Sequence, residues 1–235
     1  MIELNADIGE GYDDAGLLPY LGRVSIACGG HAGDAASMIA ALQLAEEYGV
    51  SAGAHPSFPD RTRFGRHPLT ATDAEVSAWV AQQTEALAEH AARRCLRLTH
   101  VKPHGALYNV AATNPDVAAA IAHAVAGLDA TLALVGLSGS ALVAAGRAAG
   151  LTVLDEVFAD RRYQPDGQLV SRETHGALLV DPSLAARQAR ALATGEPIAV
   201  GDGWLRLRAD TLCLHSDTPG ALKIARAVHA ALYRG

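Results

Sequence analysis

The sequence predicts an α/β barrel, because seven short apolar runs recur along its 235 residues and alanine-rich helical stretches separate them. Four of those stretches open on recognisable helix caps. Strands alternating with helices are the pattern of βαβ units around a parallel sheet. Seven strands suffice to close such a sheet, and the length suits one domain over residues 1–235.

The expected strands are residues 2–7, 23–28, 50–54, 96–102, 131–135, 151–158 and 211–215. In the first, Ile2, Leu4 and Ala6 alternate with Glu3, Asn5 and Asp7, which places the polar set inside the barrel. In the fourth, Leu96, Leu98, His100, Lys102 and His104 share one parity and run from an apolar floor to a basic mouth. Between the strands, Thr72 with Glu75 forms a capping box. Asn114-Pro115, Asp181-Pro182 and Thr218-Pro219 each set an N-cap before a proline at the first helical position. Residues 74–93 and 182–195 are rich in helix formers, and Gly49, Gly150 and Gly195 are the expected C-caps. Residues 61–70 and 161–174 read as long binding loops.

Composition narrows the function. Half the residues are apolar, 19% are charged and the net charge is -6, so nothing suggests the basic stripe of a nucleic-acid binder. The chain opens on a strand-like run without a signal-peptide pattern, and no apolar run is long enough to span a membrane; we expect a cytoplasmic protein. Cys28, Cys95 and Cys213 lack metal-type spacing and read as reduced thiols, with Cys28 a small buried residue.

Polar residues gather where strands end. His31, His55, His104 and His215 follow four predicted strands, and Asp7 and Glu10 follow the first. One histidine alone is as often structural as functional, but joint placement favours a mouth. Asp34 and Asp217 read at least as well as helix caps. The glycine-rich segment at 136–140 is an ordinary strand-to-helix turn, and the dinucleotide, phosphate-loop and nucleophile-elbow patterns are absent.

The segments NADIGEG (5–11), ACGGHAGD (27–34), GAHPSFPD (53–60), FGR (64–66), VKPHGALYN (101–109), EVFADR (156–161) and LHSD (214–217) resemble the LamB/YcsF family in order and spacing. Two departures are Gly30, where the family often has an aromatic residue, and Ser216, where it often has glycine. The resemblance implies a seven-stranded barrel similar to the glycoside hydrolase/deacetylase fold. It implies ATP-dependent hydrolysis of 5-oxo-L-proline to L-glutamate, with this chain as the A component of a 5-oxoprolinase that also contains subunits B and C. On that reading Asp7, with Glu10 as second choice, orients or deprotonates water, and His104 or His31 protonates the leaving nitrogen. Lys102 and Arg161 neutralise phosphate or hold the substrate carboxylate, while Asn5 and His55 line the substrate. The competing role for Lys102 is an interior ion pair with Asp7. Asp7, His31 and His55 are also the candidate ligands of a divalent metal, whose convergence spacing leaves open. Two alternatives stand beside this reading: a metal-dependent deacetylase, and a noncatalytic protein that binds substrate for its partners.

Overall fold

A computed structural model describes residues 2–233. Seven parallel strands close a barrel: β1 (Glu3–Ile8), β2 (Arg23–Ala27), β3 (Ser51–His55), β4 (His100–Val101), β5 (Ala133–Leu137), β6 (Val153–Phe158) and β9 (Thr211–His215). The hairpin β7 (Ile198–Val200) and β8 (Gly203–Leu205), which the periodicity does not predict, precedes the last strand. Seven helices accompany the barrel: α1 (Ala35–Tyr48), α2 (Asp73–Ala92), α3 (Gly105–Thr113), α4 (Pro115–Leu128), α5 (Ala141–Ala148), α6 (Pro182–Thr194) and α7 (Ala221–Tyr233). No helix among the described residues is long and apolar enough to cross a membrane.

Alternation decides which side chains meet the helices. Leu4, Ala6, Ile8, Val24, Ile26, Val157, Leu212 and Leu214 belong to one buried apolar cluster. The intervening Asn5, Asp7, Ser25, Glu156, Thr211 and Cys213 turn to the barrel axis. Register then groups the polar residues, setting Asp7 beside Ser25 on β2 and His215 on β9.

The floor is not the apolar layer that the sequence predicts. β4 is confined to two residues, flanked by Thr99 and Lys102, whose amides donate to the Ala52 and Ala54 carbonyls of β3 at 2.9 Å. Leu96 and Leu98 therefore precede the strand and are half-buried. Arg23 instead pairs with Glu3 at 2.7 Å, and its Nη1 donates to His100 Nδ1 at 3.3 Å. Gly53 makes this possible, since a Cβ there would lie 2.4 Å from the His100 ring.

Three of the four expected helix starts form as capped: Thr72 with Glu75, Asn114 before Pro115 and Asp181 before Pro182. The fourth differs. α7 starts at Ala221, and the Thr218 hydroxyl donates to Asp160 Oδ2 at 2.7 Å rather than capping it. Asp34 does cap α1, but Asp217 caps nothing and is held by two arginines. Gly49 and Gly195 are left-handed C-caps, while Ala149 caps α5 and Gly150 supplies the positive φ just after it.

Candidate active site at the barrel mouth

A buried ion triad occupies the centre of the barrel. Lys102 Nζ lies 2.9 Å from Asp7 Oδ1 and 2.8 Å from Glu156 Oε1, and donates to Asn5 Oδ1 and Cys213 Sγ at 3.3 Å each. Tyr108 donates its hydroxyl to Glu156 Oε2 at 2.8 Å, and Thr211 Oγ1 accepts from Asn5. Burial alone would discharge both partners, yet their attraction wins. Asp7 is held down to about 2, burial being outweighed by His55 and Lys102. Lys102 stays well above the usual lysine range for the same reason, against its own burial. Burial pushes the Cys213 thiol well up, so it is a neutral acceptor here. Lys102 thus has the interior ion pair and is almost fully buried, at the inner end of the mouth.

Next to the triad, three imidazoles surround one carboxylate oxygen. Glu10 Oε1 lies 2.8 Å from His31 Nε2, 3.3 Å from His104 Nδ1 and 3.8 Å from His55 Nε2. His31 and His104 stack at 3.6 Å, and Phe64 packs edge-on against both. Phe64 holds a left-handed backbone at φ +56°, which aims its carbonyl at His104 Nε2, 3.0 Å away. Burial drives His55 down to about 3, so its imidazole is neutral near pH 7. The Glu10 carboxyl lies far below its usual range, its burial being outweighed by the imidazoles of His104, His31 and His55 around it. Asp7 touches one member of this group, through Oδ2 to His55 Nε2 at 3.4 Å.

The opposite side of the mouth carries a second kind of histidine. His215 Nδ1 lies 2.9 Å from Asp160 Oδ1, and its ring stacks on Phe158 at 5.4 Å. Asp160 is held at about 2, its burial outweighed by His215 and Thr218. The carboxylate can only accept, so it fixes the proton on Nδ1 and leaves Nε2 facing the cavity. A ring nitrogen of His215 lies within 4.8 Å of an Asp7 carboxylate oxygen.

These groups line a cavity of about 430 Å³ with Arg66, Arg161 and Arg172. Asp217 bridges Arg66 and Arg172 at 2.5 and 2.8 Å, joining the 61–70 and 161–174 loops across the opening. Arg161 donates to Val170 O at 2.7 Å, its buried Nε has no partner, and it makes no ion pair among the described residues. Burial and Arg172 lower it to about 10, so it remains a cation. Among the residues expected at the site, Asp7, Glu10, His55, Lys102, His104 and Arg161 line this cavity. Asn5 lies beneath it on Lys102, and His31 faces an adjoining depression behind Glu10. Sequence reasoning missed Glu156, Asp160, Tyr108 and Arg172. An acid of interior parity in an apolar strand was the available signal for Glu156.

The comparisons with known proteins agree along the whole chain. The LamB/YcsF family profile matches residues 2–235. The chain is 48% identical to the A component of 5-oxoprolinase from Chloroflexus aggregans and 45% identical to that from Chloroflexus aurantiacus, in each case over 98% of this chain and 94% of the relative. The crystal structure of a lactam utilization protein from Thermus thermophilus superposes with a TM-score of 0.92 at 41% identity, over 99% of this chain and 96% of that one. The barrel, its mouth and these likenesses place the chain in the LamB/YcsF family.

Proposed function

We propose that this chain, as the A component of a complex with subunits B and C, hydrolyses 5-oxo-L-proline to L-glutamate in the mouth of its barrel, driven by ATP. The observation that carries this reading is the Asp160–His215 pair facing Asp7 across a cavity rimmed with arginine. The relatives named for 5-oxoprolinase and lactam utilization supply the substrate class.

A lactam resists water because its carbonyl is resonance-stabilised and its nitrogen leaves poorly. Transfer of the terminal phosphoryl group of ATP to the lactam oxygen removes the first obstacle. Water then adds at the carbon, the C–N bond breaks as the nitrogen gains a proton, and a second water releases phosphate from the resulting acyl phosphate. The sum is one lactam, one ATP and two waters giving glutamate, ADP and phosphate. His215 Nε2 is placed to take the proton from water and return it to the nitrogen, because Asp160 holds the ring in that tautomer. Asp7 is too weak a base for that task at about 2, so it orients the water and favours the imidazolium. Arg161 takes the substrate carboxylate, and the Arg66–Asp217–Arg172 rim faces the phosphoryl group. Lys102 acts at one remove, by holding Asp7 ionised.

The test is ATP-dependent glutamate release by the complex reconstituted from all three proteins. His215→Gln is expected to lower kcat by roughly 10²–10⁴-fold with ATP still required, Asp160→Asn to lower it less, and Arg161→Gln to raise KM. Near-normal turnover by folded His215→Gln and Asp160→Asn complexes would remove the chemistry from this mouth.

A further inference from the structure

We propose that Glu10, His31, His55 and His104 form a binding site for one divalent transition-metal ion with zinc-like preferences. His55 Nδ1 lies 2.7 Å from the Lys102 carbonyl, and His104 Nε2 lies 3.0 Å from the Phe64 carbonyl. A carbonyl oxygen only accepts, so both outer nitrogens carry their hydrogens. The inner nitrogens, His55 Nε2 and His104 Nδ1, then present lone pairs to each other at 3.0 Å. Both also face Glu10 Oε1, a further acceptor, at 3.8 and 3.3 Å. Three electron-pair donors converge with no donor between them, an arrangement that an electrophile must stabilise.

The spacing suits a metal. A tetrahedral zinc with bonds of roughly 2.0–2.1 Å separates its ligand atoms by about 3.3–3.4 Å. The four inner contacts of 2.8, 3.0, 3.3 and 3.8 Å bracket that value, and all four ligand atoms lie within 4.8 Å of one another. The outer shell suits it at His55 and His104, because metal-bound histidines commonly donate their second ring N–H to a backbone carbonyl, whereas the outer Nδ1 of His31 is buried without a partner. Imidazoles with one carboxylate are ligands for zinc or its first-row neighbours rather than for magnesium or calcium. This donor set takes Glu10 as its carboxylate and adds His104, whereas Asp7 keeps its Oδ1 on Lys102. The ion supplies Lewis acidity at the cavity edge beside Asp7, and the site stands whether or not the cavity opens lactams.

The experiment titrates the chelator-treated full chain with cobalt(II), then with zinc against a chromophoric chelator, in the absence of lactam and nucleotide. One cobalt per chain with the intense visible bands of four-coordination is expected. Glu10→Gln and His104→Gln should each weaken zinc by more than the roughly 10–100-fold that loss of an outer-shell partner costs. Asp34→Asn, at the cap of α1, should leave binding unchanged. Imidazole ¹⁵N shifts of the unmutated chain provide a readout that no variant's folding can confuse: zinc should move the inner nitrogens of His55 and His104 and leave the outer ones protonated. Folded protein that takes up no stoichiometric metal, or takes it up equally after both substitutions, overturns the proposal. So does a metal-free spectrum in which one of the two rings is doubly protonated at neutral pH and zinc changes nothing, which assigns the contact to a shared proton.

Discussion

Replacing Lys102 with methionine keeps an unbranched four-atom stem and removes the ammonium group with its charge and hydrogen bonds, which makes it a direct probe of the central triad. At an effective dielectric constant of 20, contacts of 2.9 Å to Asp7 and 2.8 Å to Glu156 are each worth about 6 kcal/mol of gross attraction. Desolvation offsets most of that in the intact triad, but in Lys102→Met the two carboxylates stay buried without their cation. We expect a loss of about 3–5 kcal/mol at pH 7, the usual cost of breaking a buried pair from one side. The variant can relieve the repulsion by protonating one carboxylate, whose folded pKa then rises above its unfolded value. A raised carboxyl pKa favours the folded state at low pH, and the benefit fades as pH climbs through it. The stability gap from the unmutated chain should therefore be widest at neutral pH and narrow towards pH 5. Urea unfolding followed by circular dichroism at both pH values measures this. Adding Glu156→Gln to the same chain should recover part of the loss, because Tyr108 can still donate to the amide oxygen. A cost below about 1 kcal/mol at pH 7, or strict additivity in the double variant, would mean that the triad does not hold the barrel centre as described.

Two further substitutions probe groups beside the mouth. Asp14 accepts from the Gly9 amide at 2.9 Å, but its Oδ1 is buried without a partner and burial raises the carboxyl to about 6. Its folded pKa exceeds 3.8, so stability is lost as pH rises through 6. Asp14→Asn should accordingly stabilise the chain by about 1–3 kcal/mol at pH 7 and hardly at all at pH 3.5. Equal effects at the two values would reject the assignment. At Gly30 a Cβ would lie 2.3 Å from Gln83 Oε1, which accepts from Ser57 N at 2.9 Å. Gly30→Tyr should cost about 1–3 kcal/mol by stranding that amide, and Gln83→Ala in the same chain should recover part of it; thermal melts that show no cost for Gly30→Tyr alone would contradict the packing.

The barrel is legible in the sequence where local rules suffice. Six of the seven strands agree with their expected limits to within two residues, because apolar runs flanked by capped helices leave few alternatives. β4 departs from its expected limits, since its pairing with β3 is a long-range contact that the local apolar pattern of 96–102 does not contain. The Thr218 expectation failed for a similar reason: the hydroxyl had a competing acceptor in Asp160, 58 residues away. At the site, three of the four histidines after strand ends, His55, His104 and His215, line the cavity with Asp7, Glu10 and Lys102, while His31 lies in the adjoining depression. Their partners were not legible. His215 and His55 differ in what stands behind the ring, a carboxylate in one case and a carbonyl in the other. In the proposed roles, that difference separates a ring that would move a proton from one that would offer a lone pair.

The polar interior explains why so many of these residues depend on one another. Barrels of this general kind fill their interiors with branched apolar side chains, whereas here the axis runs from Glu3, Arg23 and His100 through Asn5, Lys102 and Glu156 to Asp7 and His55. Such a column contributes little net stability, because desolvation offsets pairing. The apolar layer between strands and helices must carry the fold, and its members, from Leu4 to Val228, are almost fully buried. The division has a functional consequence. With folding secured outside the barrel, the interior is free to hold charges at fixed positions, and in the proposed reaction Asp7 would meet its water already ionised. Preorganisation of this sort stabilises charge as it develops without moving any dipole during the reaction, which is what an unreactive amide requires.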